Sequence, residues 1–141
     1  MTVTSEATTA WNGGLFDGSG ETTFVSSGLG TFPVNWKARS EGSTSVTTPE
    51  ELIAAAHSSC FSMAFSLALA ENGTPPESID TTASVTFKPG TGITGSHLNV
   101  NAVVPGIEPE EFERIAQEAK AGCPVSQALA GVEITIEATL A

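Results

Sequence analysis

The chain has 141 residues, 40% of them apolar and only 15% charged, with 5 Lys and Arg against 16 Asp and Glu for a net charge of -11. That length holds one domain with a real core, burying roughly two-thirds of the unfolded surface, while the low charge content suggests that a partner subunit covers part of the exterior. So acidic a surface repels phosphate backbones and anionic headgroups, which argues against nucleic-acid and membrane partners.

The opening MTVTSEATTAWNGG has neither a basic n-region nor an apolar h-region, so no secretory signal is read and a cytoplasmic protein is expected. Residues 8–37 hold TTAWNGGLF, ETTFVSS and GTFPVNWKA, short runs of Thr, Val, Phe and Trp punctuated by Gly, Asn and Asp. They read as a meander of strands with tight turns. RSEGSTSVTT, residues 39–48, reads as a polar loop that carries Arg39 toward a helix.

Thr48 as N-cap, Pro49 at the first helical position and Glu51 in a capping box mark the start of a helix over 49–71, and ENGTPP ends it. From Leu52 to Ala70 the residues are apolar or small around most of the circumference, so burial on more than one side is expected. Glu50, Glu51, His57 and several serines interrupt this run, which is therefore not read as a membrane span.

SIDTTASVTFKPG and TGITGSHLNVNAVVPG alternate as half-buried strands and form a hairpin over 78–104. EPEEFERIAQEAKAG gives a surface helix over 109–121 with Phe112, Ile115, Ala116 and Ala119 on its inner face. A short helix over 123–130 and a strand over 131–140 close the chain. This order is α+β within a single domain of residues 1–141, with the apolar helix between sheet layers and a second copy supplying cover that one chain lacks.

Two cysteines in a cytoplasmic chain are kept reduced, so a static staple explains them poorly. Cys60, on the apolar helix, can be a small buried hydrophobe whose thiol stays inert. Cys123 precedes Pro124 at a helix start, where a thiol is more acidic, although a packing role remains open. Neither His57, three residues before Cys60, nor His97 completes a zinc spacing, and no oxyanion-hole signal accompanies a Cys/His hydrolase reading.

Five basic residues could favour a thiolate at Cys60: Lys37, Arg39, Lys88, Arg114 and Lys120. Arg114 and Lys120 read as solvated helix positions and Lys88 sits by a turn, which leaves Arg39 as the one placed to fold over the helix. Glu50 can complement the helix dipole or hold Arg39 by a bidentate pair. Ten residues separate Glu50 from Cys60, about 15 Å along a straight helix. For both to serve one site, the helix must bend or a second copy must supply Glu50.

TPEELIAAAHSSCFSMAFSLALAENG and AGCPVSQAL, with WKARSEG, ESIDTTASVTF and the closing strand, resemble the OsmC/Ohr family of thiol-dependent peroxidases, in its osmotically inducible branch, along essentially the whole chain. The resemblance implies an intertwined homodimer with long buried central helices flanked by antiparallel sheets. It implies Cys60 as peroxidatic and Cys123 as resolving cysteine, with Arg39 stabilising the thiolate and Glu50 orienting Arg39 across the dimer.

The expected reaction takes organic hydroperoxides, and hydrogen peroxide less well, to alcohols through a Cys60 sulfenic acid and a Cys60–Cys123 disulfide. A lipoyl-type dithiol would restore the pair, in defence against oxidative or osmotic stress and without metal, haem or flavin. Beside this stands a non-catalytic module that binds hydrophobic ligands or senses redox state. A dithiol-disulfide oxidoreductase is disfavoured by the lack of a CxxC pair.

Overall fold

The computed structural model describes all 141 residues, and their contacts divide the chain into two units, Met1–Pro49 and Glu50–Ala141. In the first, β1 (Ala7–Asn12), β2 (Ser19–Phe24) and β3 (Thr31–Val34) form an antiparallel meander in sequence order. Threonine pairs lock the register: Thr9 and Thr22 hydroxyls lie 2.6 Å apart, and those of Thr23 and Thr31 2.9 Å. The β1–β2 connection needs glycine at Gly18, where a Cβ would fall 2.3 Å from the Gly14 carbonyl oxygen.

The expected strand region to residue 37 ends early. A short helix, α1 (Trp36–Glu41), follows β3; the Asn35 side chain accepts from the Ala38 N–H at its start, and Gly42 at φ 88° ends it. Arg39 therefore sits on a helix and not in a loop. A turn and a half of helix is too short to announce itself by hydrophobic period, and the Thr-Phe-Pro-Val run before it reads as strand.

The second unit begins with α2 (Pro49–Glu71), which matches the expected helix. His57, Phe61, Phe65 and Leu69, four residues apart, form its fully buried face. β4 (Ser78–Lys88) and β5 (Gly92–Val103) are the expected hairpin, followed by α3 (Pro109–Gly122), α4 (Pro124–Ala128) and β6 (Glu133–Leu140). Sheet order is β4-β5-β6. This sheet is mixed and not wholly antiparallel, because β6 pairs parallel to β5. A parallel pairing requires a long crossover, and α3 with α4 provide it.

The period of two sorts the sheet into a polar face and a packed one. Ala83, Leu98 and Ile136 align in register, as do Thr81, Val100 and Ala138, and all but Thr81 join the apolar cluster with Phe61, Phe65 and Leu69. From α3 the predicted Phe112, Ile115, Ala116 and Ala119 are the buried residues, with the Phe112 ring centred 5.4 Å from that of Phe65. The Ser62 hydroxyl ties α2 to β4 through Thr81 at 2.8 Å.

By length and composition α2 does pass as long and apolar enough to cross a membrane, contrary to the expectation from its polar residues, because three glutamates and one histidine do not outweigh its Ala, Leu and Phe content. Its buried face instead anchors the core of this unit. Burial all round is not met within one chain: Met63 is 72% and Leu67 60% exposed.

Candidate active site

Cys60 lies one residue before Phe61, at the edge of the buried face of α2, and is half-buried; Cys123 joins α3 to α4 and is fully buried. The fold sets the two reduced thiols side by side, close enough for each to shift the other's ionisation. Cys60 opens on a groove of about 510 Å³ walled by Met63, Leu67, Glu71, Glu118 and Pro124. On α2, Phe61 and Phe65 are core, while Met63 and Leu67 line the groove.

Electrostatics distinguish the two sulfurs. Burial pushes the Cys60 thiol up, and the hydrogen bond with Cys123 adds to this, while the Val125 N–H donates to Cys60 and pulls the other way. Burial also raises Cys123, yet the adjacent Cys60 thiol first, and then the Ser126 and Val125 groups at the start of α4, outweigh it and bring that thiol below its ordinary value. Among the groups acting on the pair, none is cationic, and of the two thiols the inaccessible one is the more acidic.

His57 is a core histidine with both ring nitrogens satisfied. Its Nδ1 lies 2.6 Å from the Ser96 hydroxyl and its Nε2 2.8 Å from the Ser126 hydroxyl. Burial holds its pKa down, favouring the neutral ring. His97 instead meets the Thr135 hydroxyl at 2.6 Å. No three His, Cys, Asp or Glu side chains are grouped to hold a metal ion.

Arg39 is half-buried on α1, and Glu50 is buried in the first turn of α2, only 6% exposed, so it is not the solvated dipole partner that a first-turn glutamate suggests. Neither lacks an interaction partner. α2 is helical without interruption from Pro49 to Glu71, so Glu50 and Cys60 of one chain remain separated by about 15 Å of helix axis. Among the other cations, Arg114 pairs with Glu111 and Glu118 on the surface, as a solvated helix position should. Lys120 departs from that reading; it is half-buried with Nζ 3.5 Å from the Ile134 carbonyl.

Ser126 is the site residue that sequence reasoning misses. A signal is present, since Ser126 stands three residues beyond Cys123, inside one turn of the same short helix.

The family described as OsmC-like protein matches residues 41–137. Peroxiredoxin OsmC of Escherichia coli is 45% identical over 140 residues, covering 97% of this chain and 96% of that one. An organic hydroperoxide resistance protein from Elizabethkingia anophelis is similar in structure, with a TM-score of 0.70 and 26% identity over 100% of this chain and 97% of that one. An OsmC like protein from Mycoplasma pneumoniae shares the fold, with a TM-score of 0.74 and 14% identity over 99% of each chain. Together with the paired thiols on a central helix and a helix junction, these likenesses establish that the chain belongs to the OsmC-like protein family.

Proposed function

We propose that this protein is a thiol-dependent peroxidase that reduces organic hydroperoxides to alcohols, with Cys60 as the peroxidatic and Cys123 as the resolving cysteine. The observation that carries the proposal is the contact between one accessible thiol and one buried thiol at the end of an apolar groove. The peroxidase names of relatives, at 45% identity, support the same chemistry.

Access decides the order of attack. A peroxide entering the groove meets Cys60, while Cys123 is fully buried. Cys60 thiolate attacks one peroxide oxygen, the O–O bond breaks, the alkoxide leaves as alcohol after protonation, and Cys60 carries the sulfenic acid. Cys123, already the more acidic thiol, then attacks the Cys60 sulfur; an S–S bond forms, the S–O bond breaks and water leaves. A dithiol of lipoyl type reduces the disulfide by exchange.

The first step needs thiolate at Cys60, which burial opposes. Arg39 is the cation assigned to reverse that preference, and Glu50 fixes the direction of its guanidinium. Because α2 is unbroken, Glu50 serves Cys60 from a second copy within a homodimer. The exposed Met63 and Leu67, and the exposed Leu15, Phe16 and Leu29 of the first unit, give such a dimer apolar surface to cover. The chemistry suits a reducing cytoplasm and calls for no cofactor.

Consumption of cumene hydroperoxide by the reduced protein with dihydrolipoamide tests the proposal. Turnover lost in Cys60→Ser is the expected result. Turnover retained in that variant, or absent in the parent, contradicts it and favours a hydrophobic-ligand or redox-sensing module.

A further inference from the structure

Three elements of the second unit converge on His57, which stands behind the thiol pair and away from the groove. The ring is fully buried, its Nδ1 2.6 Å from Ser96 Oγ on β5 and its Nε2 2.8 Å from Ser126 Oγ on α4, and both serines are themselves buried. The Ser126 hydroxyl in turn stands beside the Cys123 sulfur, close enough to favour its ionised form. A continuous chain of polar hydrogens thus runs from Ser96 through His57 and Ser126 to Cys123, inside an otherwise apolar core. We propose that His57 and Ser126 are positioning residues for the resolving step, forming a relay that takes the proton from Cys123 as it becomes a nucleophile.

The hydrogen-bond directions permit this without any side chain moving. With the Nδ1–H of His57 donating to Ser96 Oγ, Nε2 is left as the acceptor facing Ser126. At rest the Cys123 S–H donates to Ser126 Oγ, and the Ser126 O–H donates to Nε2. When Cys123 ionises, its proton moves to Ser126 Oγ and the hydroxyl proton of Ser126 moves to Nε2, so Ser126 O–H then points at the thiolate. Ser96 accepts from Nδ1–H in both states.

The thiolate attacks the sulfenic sulfur of Cys60, the S–S bond forms and the S–O bond breaks. The departing hydroxide regains one proton as water, and His57 returns to its neutral form by losing one through Ser126. No oxidant beyond the hydroperoxide already consumed is required. Burial disfavours a lasting charge on His57, so the ring is held as a base between turnovers. The buried position of Cys123 makes such a relay necessary in a way that Cys60 does not, since bulk water does not reach the Cys123 sulfur.

The inference rests on Cys123 being the resolving cysteine, and two rates separate its failure from a failure of that reading. Reduced parent, Ser126→Ala, Ser126→Thr and His57→Gln proteins are each mixed with cumene hydroperoxide. Cys60 sulfenic acid is trapped with dimedone, and the Cys60–Cys123 disulfide is followed by mass spectrometry. Ser126→Ala is expected to slow disulfide formation about tenfold or more relative to any change in Cys60 oxidation. His57→Gln, with an amide that does not titrate, should do the same, and Ser126→Thr should restore the parental rate.

A merely structural role would slow both steps together or neither, and either outcome overturns the relay. Should His57→Gln fail to fold, the Ser126→Ala to Ser126→Thr comparison decides alone. A parent protein that oxidises Cys60 without ever consuming Cys123 overturns both the relay and the resolving role on which it rests.

Discussion

Cys60 and Cys123 hold their thiols side by side, one half-buried on a groove and the other fully enclosed. Two sulfurs so placed differ in access as well as in acidity. The proposed division of labour follows from that difference.

Removal of the enclosed sulfur should therefore separate the two steps. Cys123→Ser is expected to consume one hydroperoxide per chain at close to the parental rate and then to cease turnover, a second equivalent under excess oxidant taking Cys60 on to sulfinic acid. Continued turnover of Cys123→Ser with dihydrolipoamide, measured as peroxide loss, would contradict a resolving role.

The thiolate at Cys60 depends on a charge that its immediate surroundings do not supply, because burial there favours the neutral thiol. Arg39→Ala should move the pH midpoint of Cys60 oxidation upward and lower the rate at pH 7 by about tenfold or more, the effect of removing an adjacent opposite charge. Stopped-flow rates between pH 5 and 10, as about the accessible range, give the midpoint. An unmoved midpoint would remove Arg39 from the site. Mixed Glu50→Gln and Cys60→Ser chains should recover roughly a quarter of parental activity if the glutamate acts across a two-fold axis.

Groove composition should set preference for the alkyl group. Leu67 is 60% exposed in the single chain and lines the groove beside Cys60. Leu67→Gln is expected to lower kcat/KM for cumene hydroperoxide by about tenfold while that for hydrogen peroxide changes little, as loss of an apolar contact implies. Equal loss for both substrates would mean that Leu67 supports the fold or the dimer and not selectivity.

His57 also carries an acid-stability signature. Its folded pKa lies below the ordinary value of 6.5 through burial, so its contribution is fully present above pH 6.5 and is lost as pH falls toward the folded value. Urea unfolding at pH 7 and pH 5 should show a larger loss in the parent than in His57→Gln, the carboxylates being common to both. Equal losses would indicate that the ring titrates alike in folded and unfolded chains.

Local signals make α2 and α3 legible in the amino-acid sequence itself. Pro49 and the closing Asn-Gly bound one, and the spacing of Phe112, Ile115, Ala116 and Ala119 gives the inner face of the other. What stays hidden depends on partners remote in sequence. The parallel pairing of β6 with β5 follows from where the α3–α4 crossover returns the chain, which no alternation of residues encodes.

Cys60 and Cys123 are readable as a pair through their motifs, whereas the role of His57 is not. Its linkage to Ser96 and Ser126, 39 and 69 residues away, emerges only where three elements converge. α1 escapes for a different reason, being six residues that offer too little periodicity to outweigh the β-like run before them.

The central claim is that the contact between Cys60 and Cys123 is redox chemistry in waiting. Peptide mapping of reduced protein after one equivalent of cumene hydroperoxide tests it most directly. An intrachain Cys60–Cys123 disulfide, with both thiols lost and one equivalent of cumyl alcohol formed, is the expected result. Both thiols remaining free while the hydroperoxide persists would contradict the account.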